Sequence, residues 1–314
     1  MKLNSIQTLI GTAATTACLL SMTGVAQAGS FYNGWNYARD YSNDGTGGYA
    51  QFNGRRASAY EMYGMAVHQD GDTITVGINT NLGLEGRSHG PAKDGNIGWG
   101  DFLFSVGGEQ YGIHFAETND SFGRGLNSAA LDAAQGTNAL GLYKGITTKN
   151  VTAKNHGWST IKKHYNHTKN RSENVADRNA GIKSFGDLDS SELSYYNASR
   201  SAPTSIKSGT KVENDNFQLL NQDQLSGLGL DFGGAFGVGN NKLGATTFGF
   251  SFTRTPEMLG DFVAHLFAEC TNDGMAIEGT FEETPSVPVP EPTAVAGLAL
   301  VGLMLAGSKL RKQS

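Results

Sequence analysis

Alternating apolar and polar positions predict β-strands along much of the chain. Residues 60–69 read YEMYGMAVHQ, and residues 72–80 read DTITVGINT, where apolar side chains fall on every second position. Asp70-Gly71 separates the two stretches, and an Asp-Gly step between period-two patterns is the strongest short-range signal for a β-hairpin. The sequence therefore predicts an antiparallel hairpin over residues 60–80.

Further apolar stretches separated by Gly and Asp turns extend this pattern. Phe248, Phe250 and Phe252 share one face of a predicted strand, because side chains in a strand alternate between its two faces. Many strands and few helical stretches predict a mainly β fold, an antiparallel β-sandwich or jelly-roll-like domain over residues 29–284. The other predicted strands are 99–106, 109–116, 246–254, 261–270 and 275–281.

The first 28 residues have the features of a secretory signal peptide. Lys2 supplies a positive charge, residues 9–22 are mostly small and apolar, and Ala26-Gln27-Ala28 is an A-x-A cleavage sequence. This order predicts export, with signal peptidase cutting before Gly29.

A second apolar segment lies near the C-terminus. Residues 285–292 are a proline-rich linker, and residues 293–308 carry no charge. A helix of that length spans only about 24 Å at 1.5 Å per residue, less than the ~30 Å hydrocarbon core, so it would be a marginal transmembrane helix. The basic tail 309–314, with Lys309, Arg311 and Lys312, favours the cytoplasmic side and would stop transfer.

Pro290-Glu291-Pro292 stands in the linker directly before the apolar segment. Here the chain resembles the PEP-CTERM family of exosortase-dependent surface proteins, in which this motif, a transmembrane segment and a basic end form a sorting signal. Body segments such as GWNYARD (34–40) and AHLFAECTNDGMAIEG (264–279) resemble one subgroup of that family. The resemblance implies transient inner-membrane anchoring, processing by an exosortase-type enzyme, and delivery to the cell surface or matrix. The alternative is an ordinary anchor that is retained.

Charge and cysteine content narrow the function classes. The leader and the basic tail hold four of the 24 Lys and Arg and none of the 29 acids. The net charge of the exported body is therefore near −9, which is too acidic for nucleic-acid binding.

Loss of Cys18 with the leader leaves Cys270 without a disulfide partner. His265 and Cys270 are an odd number of residues apart, so on one strand they face opposite sides and form no catalytic dyad.

One stretch of the body is locally basic. Residues 149–183 contain eight Lys or Arg against Glu173 and Asp177 and show almost no apolar periodicity. This pattern predicts a basic loop insertion that either meets acidic extracellular polysaccharide or is simply a solvated loop without a partner.

Asp and Asn beside Gly recur at residues 43–45, 70–72, 94–96 and 272–274. Oxygen-rich loops suit Ca²⁺, but the same residues are what tight turns require, and turn chemistry is the favoured interpretation. The first calcium candidates would be Asp94, Asn96 and Asp101. Otherwise no metal or cofactor is expected.

Enzyme signatures are absent from the sequence. It contains no G-x-S-x-G or H-E-x-x-H, and Gly237-Val238-Gly239 lacks the rest of a nucleotide loop. His164 and His167 have metal-ligand spacing but no acidic or cysteine partner nearby in sequence, which argues against zinc. The expected function is therefore a non-enzymatic exported surface or extracellular-matrix protein.

Two other functions stay open. A carbohydrate-binding module would use exposed Trp35, Trp99 or Trp158 as sugar platforms, and burial of these side chains would count against it. A secreted hydrolase would need two facing carboxylates in a cleft, a pairing that a single sequence does not reveal.

Overall fold

The fold is built from antiparallel strands, and the computed structural model describes residues 29–123, 140–189 and 201–284. The strands are β1 (Ser30–Tyr32), β2 (Trp35–Arg39), β3 (Ala50–Phe52), β4 (Arg55–Ala57), β5 (Met62–Asp70), β6 (Thr73–Thr80), β7 (Arg87–Ser88), β8 (Asn96–Ile97), β9 (Phe102–Val106), β10 (Glu109–His114), β11 (Gly141–Lys149), β12 (Ser205–Lys211), β13 (Gln218–Asn221), β14 (Thr246–Thr253), β15 (Gly260–Phe267) and β16 (Gly274–Phe281).

Among the described residues, helices are few and short. They are α1 (Ile161–Thr168), α2 (Ser172–Asn179), α3 (Gln222–Gly227) and α4 (Phe232–Phe236), with 3₁₀ turns at Ser121–Gly123 and Asn240–Lys242. Within the described ranges, no helix has the length and apolarity needed to cross a membrane.

Twelve strands form two six-stranded sheets. The first sheet has the order β1-β2-β5-β6-β14-β13, and the second has the order β12-β11-β10-β9-β15-β16. The pairs β3-β4 and β7-β8 are small separate hairpins. The fold is thus mainly antiparallel β, as the sequence predicts.

The predicted hairpins form with the expected partners. Strands β5 and β6 pair around Asp70-Gly71, with Asp70 opposite Thr73. Strands β9 and β10 pair around Gly107-Gly108, and β15 pairs with β16 along its whole length.

Several predicted strands were too long. Strand β9 begins only at Phe102 and β10 stops at His114. Strand β15 stops at Phe267, so Cys270 lies in the turn that follows.

The two sheets face each other across a common hydrophobic core. Phe250 and Phe252 of β14 are fully buried, and their rings meet those of Phe102 and Phe104 of β9 at centroid distances of 5.7 and 6.2 Å. The alternation of Phe248, Phe250 and Phe252 with polar residues is what directs the aromatic side chains inward. This packing is consistent with a β-sandwich.

Shorter elements cover the outer faces of the sheets. Helices α3 and α4 pack on the first sheet, where Leu225 and Phe232 bury Trp35 and Tyr37. Helix α1 and the segment 185–188 pack on the second sheet, where Gly186 bridges Ala276 of the edge strand β16. The segment 183–188 therefore covers an edge that would otherwise present unpaired backbone groups.

Candidate functional site

Two Asp-Gly turns that are far apart in sequence meet at one end of the two sheets. Asp44 lies in the connection from β2 to β3, and Asp273 lies in the turn between β15 and β16. The backbone N–H of Thr46 donates to the carbonyl of Asn272 at 2.9 Å, which ties the two turns together. Asp273 Oδ2 also accepts from the N–H of Met62 at 2.7 Å, at the start of β5.

Four buried carboxyl groups come together at this junction, and we call them the acidic cluster: Asp40, Asp44, Glu61 and Asp273. Their exposed fractions are 1%, 2%, 0% and 0%. Glu61 accepts from the N–H of Asp44 at 3.1 Å and from that of Gly45 at 3.0 Å, so it fixes the turn around Asp44. A Cβ at residue 45 would lie 2.6 Å from a Glu61 oxygen, which explains the glycine.

Two oxygens of the acidic cluster have no hydrogen-bond donor. They are Oδ2 of Asp40 and Oδ1 of Asp44, both buried. Among the described residues, no Lys or Arg nitrogen lies within 4.0 Å of any carboxylate oxygen of the cluster. The carboxyl groups of the cluster are therefore neither paired with a cationic side chain nor fully hydrogen-bonded.

Burial raises the pKa of all four carboxyl groups of the acidic cluster. Desolvation raises the pKa of Asp40, Asp44 and Asp273 well above the usual range, and the neighbouring carboxylates raise each of them further. Desolvation also raises the pKa of Glu61 to about 8, although the Arg55 guanidinium acts in the opposite direction. Because the cluster is enclosed, its carboxyls do not form the open cleft that a glycoside hydrolase would need.

His164 of α1 completes the group. Its Nε2 lies 2.8 Å from the carbonyl of Asp44, and burial lowers its pKa to about 4, so the imidazole is neutral at pH 7. Ligand atoms of Asp44, His164 and Asp273 all lie within 4.8 Å of one another. The sequence shows no acidic partner near His164, and the fold supplies two from distant turns. His167 instead packs its ring on Trp158, with centroids 4.9 Å apart.

The basic segment 149–183 holds this site in place. The prediction of a loop is wrong, because the segment contains α1 and α2. Asp177 of α2 accepts from the N–H and hydroxyl of Ser42 at 2.8 and 2.7 Å. Arg171 donates to the carbonyls of Asn43 and Gly45 at 2.8 and 2.9 Å. The positive charge of Arg171 is therefore used to fix the turn around Asp44.

The sequence-based calcium candidates have separate environments. Asp94 is exposed, and its side chain accepts from the N–H of Asn96 at 3.0 Å, as in an ordinary Asx turn. Asp101 is buried, and its two oxygens accept from His114, Asn119, Ser121 and the N–H of Ile206. Asp101 is therefore occupied by protein donors.

The tryptophans differ in accessibility. Trp35 and Trp99 are 0% exposed, which removes both as sugar platforms. Trp158 is half-buried and lines a shallow surface depression with Thr46, His156 and Asn272. Its indole N–H donates to Thr46 Oγ1 at 2.8 Å, so Thr46 holds one edge of the ring.

His265 and Cys270 are both buried, but only His265 lies on a strand. Burial raises the pKa of the Cys270 thiol, so it is a poor nucleophile at neutral pH. His265 Nε2 lies 3.0 Å from the carbonyl of Pro203, to which it donates, and burial lowers the pKa of His265 to about 4.

The pKa of His265 predicts an acid sensitivity. Because its folded pKa of about 4 is below the unfolded value of 6.5, the folded state binds fewer protons between these pH values. Stability is therefore complete above pH 6.5 and falls as the pH decreases through this window, by up to about 3 kcal/mol from this residue. We expect His265→Gln, which keeps a donor for Pro203, to reduce that loss in urea unfolding at pH 7, 5.5 and 4. Equal losses in both proteins would contradict the assignment.

The residues of the predicted export and sorting signals lie outside the described residues. These are Ala26 and Ala28 of the leader, Pro290, Glu291 and Pro292 of the linker, and Lys309, Arg311 and Lys312 of the basic tail. Comparison of the chain with protein-family models, curated proteins and solved structures gave no match.

Proposed function

We propose that this chain is a non-enzymatic exported protein that reaches the cell surface or extracellular matrix through its two ends. The single observation that carries the proposal is the order of sequence features: a cleavable leader, the β-rich body, Pro290-Glu291-Pro292, an uncharged segment, and a basic end. Each part has a separate physical role in export, and their combination is more specific than any one of them.

Processing follows from the weakness of the apolar segment. A helix of about 24 Å is short of the ~30 Å hydrocarbon core, so it would hold the chain in the membrane only marginally. Proline has no N–H to donate to a helix or sheet, so we expect the proline-rich linker to be accessible to an exosortase-type membrane enzyme. The membrane stage is then temporary, and the body is released or transferred to the envelope or polysaccharide.

The body that is delivered is the two-sheet β domain, which we interpret as a sandwich of the jelly-roll kind. Its hydrophobic core is large and aromatic, and Cys270 is buried within it, so it does not depend on a disulfide outside the cell. Of the three tryptophans proposed as sugar platforms, Trp158 is the one that a carbohydrate-binding role could still use, because Trp35 and Trp99 are enclosed.

Cell fractionation tests the proposal. We expect the full chain in the membrane or surface fraction, and a chain ending at Thr284 in the soluble exported fraction. A matched variant with Pro290, Glu291 and Pro292 changed to alanine keeps the apolar segment and basic end, so it should stay in the membrane without processing. Recovery of all three chains from the cytosol would contradict export, and processing of the alanine variant would contradict the sorting motif.

A further inference from the structure

The acidic cluster combines four buried carboxyl groups with unsatisfied ligand atoms. Three separate segments supply it: the stretch after β2, the residue before β5, and the turn before β16. Burying a carboxylate is unfavourable unless it is hydrogen-bonded or compensated by a positive charge. Neither condition is met for Oδ2 of Asp40 and Oδ1 of Asp44, which are enclosed and accept no hydrogen bond.

The other carboxyl groups are held in fixed orientations by backbone N–H groups. Asp273 accepts from Met62 and Gly274 at 2.7 and 2.8 Å, and Glu61 accepts from Asp44 and Gly45. Carboxylates whose positions are set by such outer contacts are typical of metal ligands. The contacts leave further lone pairs on each oxygen, because a carboxylate has about four acceptor sites.

We propose that a divalent cation, Ca²⁺, is held by the carboxylates of Asp44 and Asp273. The ligand atoms of Asp44 and Asp273 already lie within 4.8 Å of each other and of His164. The stretch Asp40-Tyr-Ser-Asn-Asp44-Gly45 places oxygen-bearing side chains at every second position before a glycine, as calcium loops do. It departs from those loops at Ser42, whose hydroxyl donates to Asp177.

The donor set selects the kind of cation. Carboxylate and carbonyl oxygens suit hard cations, and His164 has its Nε2 directed at the Asp44 carbonyl. Zinc would prefer imidazole and thiolate ligands. Mg²⁺ gives up its water reluctantly, whereas Ca²⁺ accepts several protein oxygens in flexible geometry, and the cluster is 0–2% exposed. Ca²⁺ therefore fits best.

The proposed site lies next to a surface depression, and a bound cation would have a structural consequence. Thr46 and Asn272 line the surface depression beside Trp158, and they adjoin Gly45 and Asp273 in the chain. Bound Ca²⁺ would join the connection after β2 to the turn before β16, and the contact between His164 Nε2 and the Asp44 carbonyl links α1 to them. Removal of the Ca²⁺ would loosen that end of both sheets together.

Calorimetric titration and thermal unfolding of the purified full chain test the proposal. After treatment with chelator, CaCl₂, MgCl₂, MnCl₂ and ZnCl₂ are added separately. We expect one Ca²⁺ per chain, weaker Mg²⁺ binding, and a higher Tm in Ca²⁺ than in chelator, since a ligand that binds only the folded state stabilises it. No Ca²⁺ binding and an unchanged Tm would overturn the proposal, as would Zn²⁺ or Mn²⁺ binding in place of Ca²⁺.

Asp44→Asn is the most informative variant, because Oδ1 of Asp44 accepts no hydrogen bond and the change preserves shape. We expect its Ca²⁺ affinity to fall at least about tenfold, with no loss of Tm in chelator. Asp94→Asn alters an exposed acid in a similar Gly turn and should bind Ca²⁺ like the unmodified chain. If Asp44→Asn keeps the full response to Ca²⁺, the site is elsewhere and the proposal is wrong. The titration of the unmodified chain decides the question if the variant does not fold.

Discussion

Phe250→Ala is expected to lower the free energy of unfolding by about 3–5 kcal/mol. Phe250 is fully buried in β14, stacks on Phe115 at a centroid distance of 5.1 Å, and meets Phe102 of the other sheet. Removal of the ring leaves a cavity between the sheets that backbone hydrogen bonding prevents from closing. Urea unfolding of the purified protein at pH 7 measures the change.

Phe31→Ala is the matched control for this result. Phe31 is 59% exposed on the edge strand β1, so the same truncation removes little buried surface. Its effect should stay within about 0.5 kcal/mol, which is usual for surface substitutions. A loss of similar size in both variants would contradict the two-sheet core.

Asp101→Ala is expected to cost about 3–5 kcal/mol, since removal of a buried charged partner leaves its neighbours unsatisfied. Asp101 Oδ1 accepts from His114 Nδ1 at 3.0 Å and from Asn119 at 2.8 Å. Its other oxygen accepts from the Ser121 hydroxyl and from the N–H of Ile206, at 2.6 Å for the latter. The measurement is thermal or urea unfolding at pH 7.

Asp94→Ala is the matched control for Asp101→Ala. Asp94 is exposed and accepts only the N–H of Asn96 among the hydrogen bonds of the described residues, so its loss should cost about 1 kcal/mol or less. If Asp101→Ala lowered the free energy of unfolding no more than Asp94→Ala does, the structural role assigned to the hydrogen bonds of Asp101 would be wrong.

The strand pairs could be predicted because the information is local. The β5–β6 hairpin is determined by period-two alternation and one Asp-Gly turn, all within 21 residues (60–80). The inward phenylalanines of β14 follow from the same alternation. Such patterns specify which face is buried, because a shift by one residue would reverse every side chain.

The acidic cluster could not be predicted, because its members are distant in sequence. Asp44 and Asp273 are brought together only when β2 and the β15–β16 turn reach the same end of the two sheets. The sequence shows both Asp-Gly turns, but it shows the same chemistry at residues 70–72 and 94–96. The turns of the acidic cluster differ from the other two in being buried, and burial depends on the tertiary fold.

Charge pattern alone also misjudged the segment 149–183. Its helices have few apolar residues, so no clear period of 3.6 appears. They are held instead by polar contacts, such as those from Asp177 to Ser42 and from Asn174 to Asn43. A polar helix that folds against a polar loop leaves little trace in hydrophobic periodicity.

The identity of both ends of the protein recovered from the cell surface tests export and sorting most directly. Mass spectrometry of the surface fraction should show Gly29 as the first residue and a C-terminus that no longer includes Lys309 to Ser314. A surface form that still ends at Ser314 would show a retained anchor, and an intact chain from Met1 to Ser314 in the cytosol would contradict export itself.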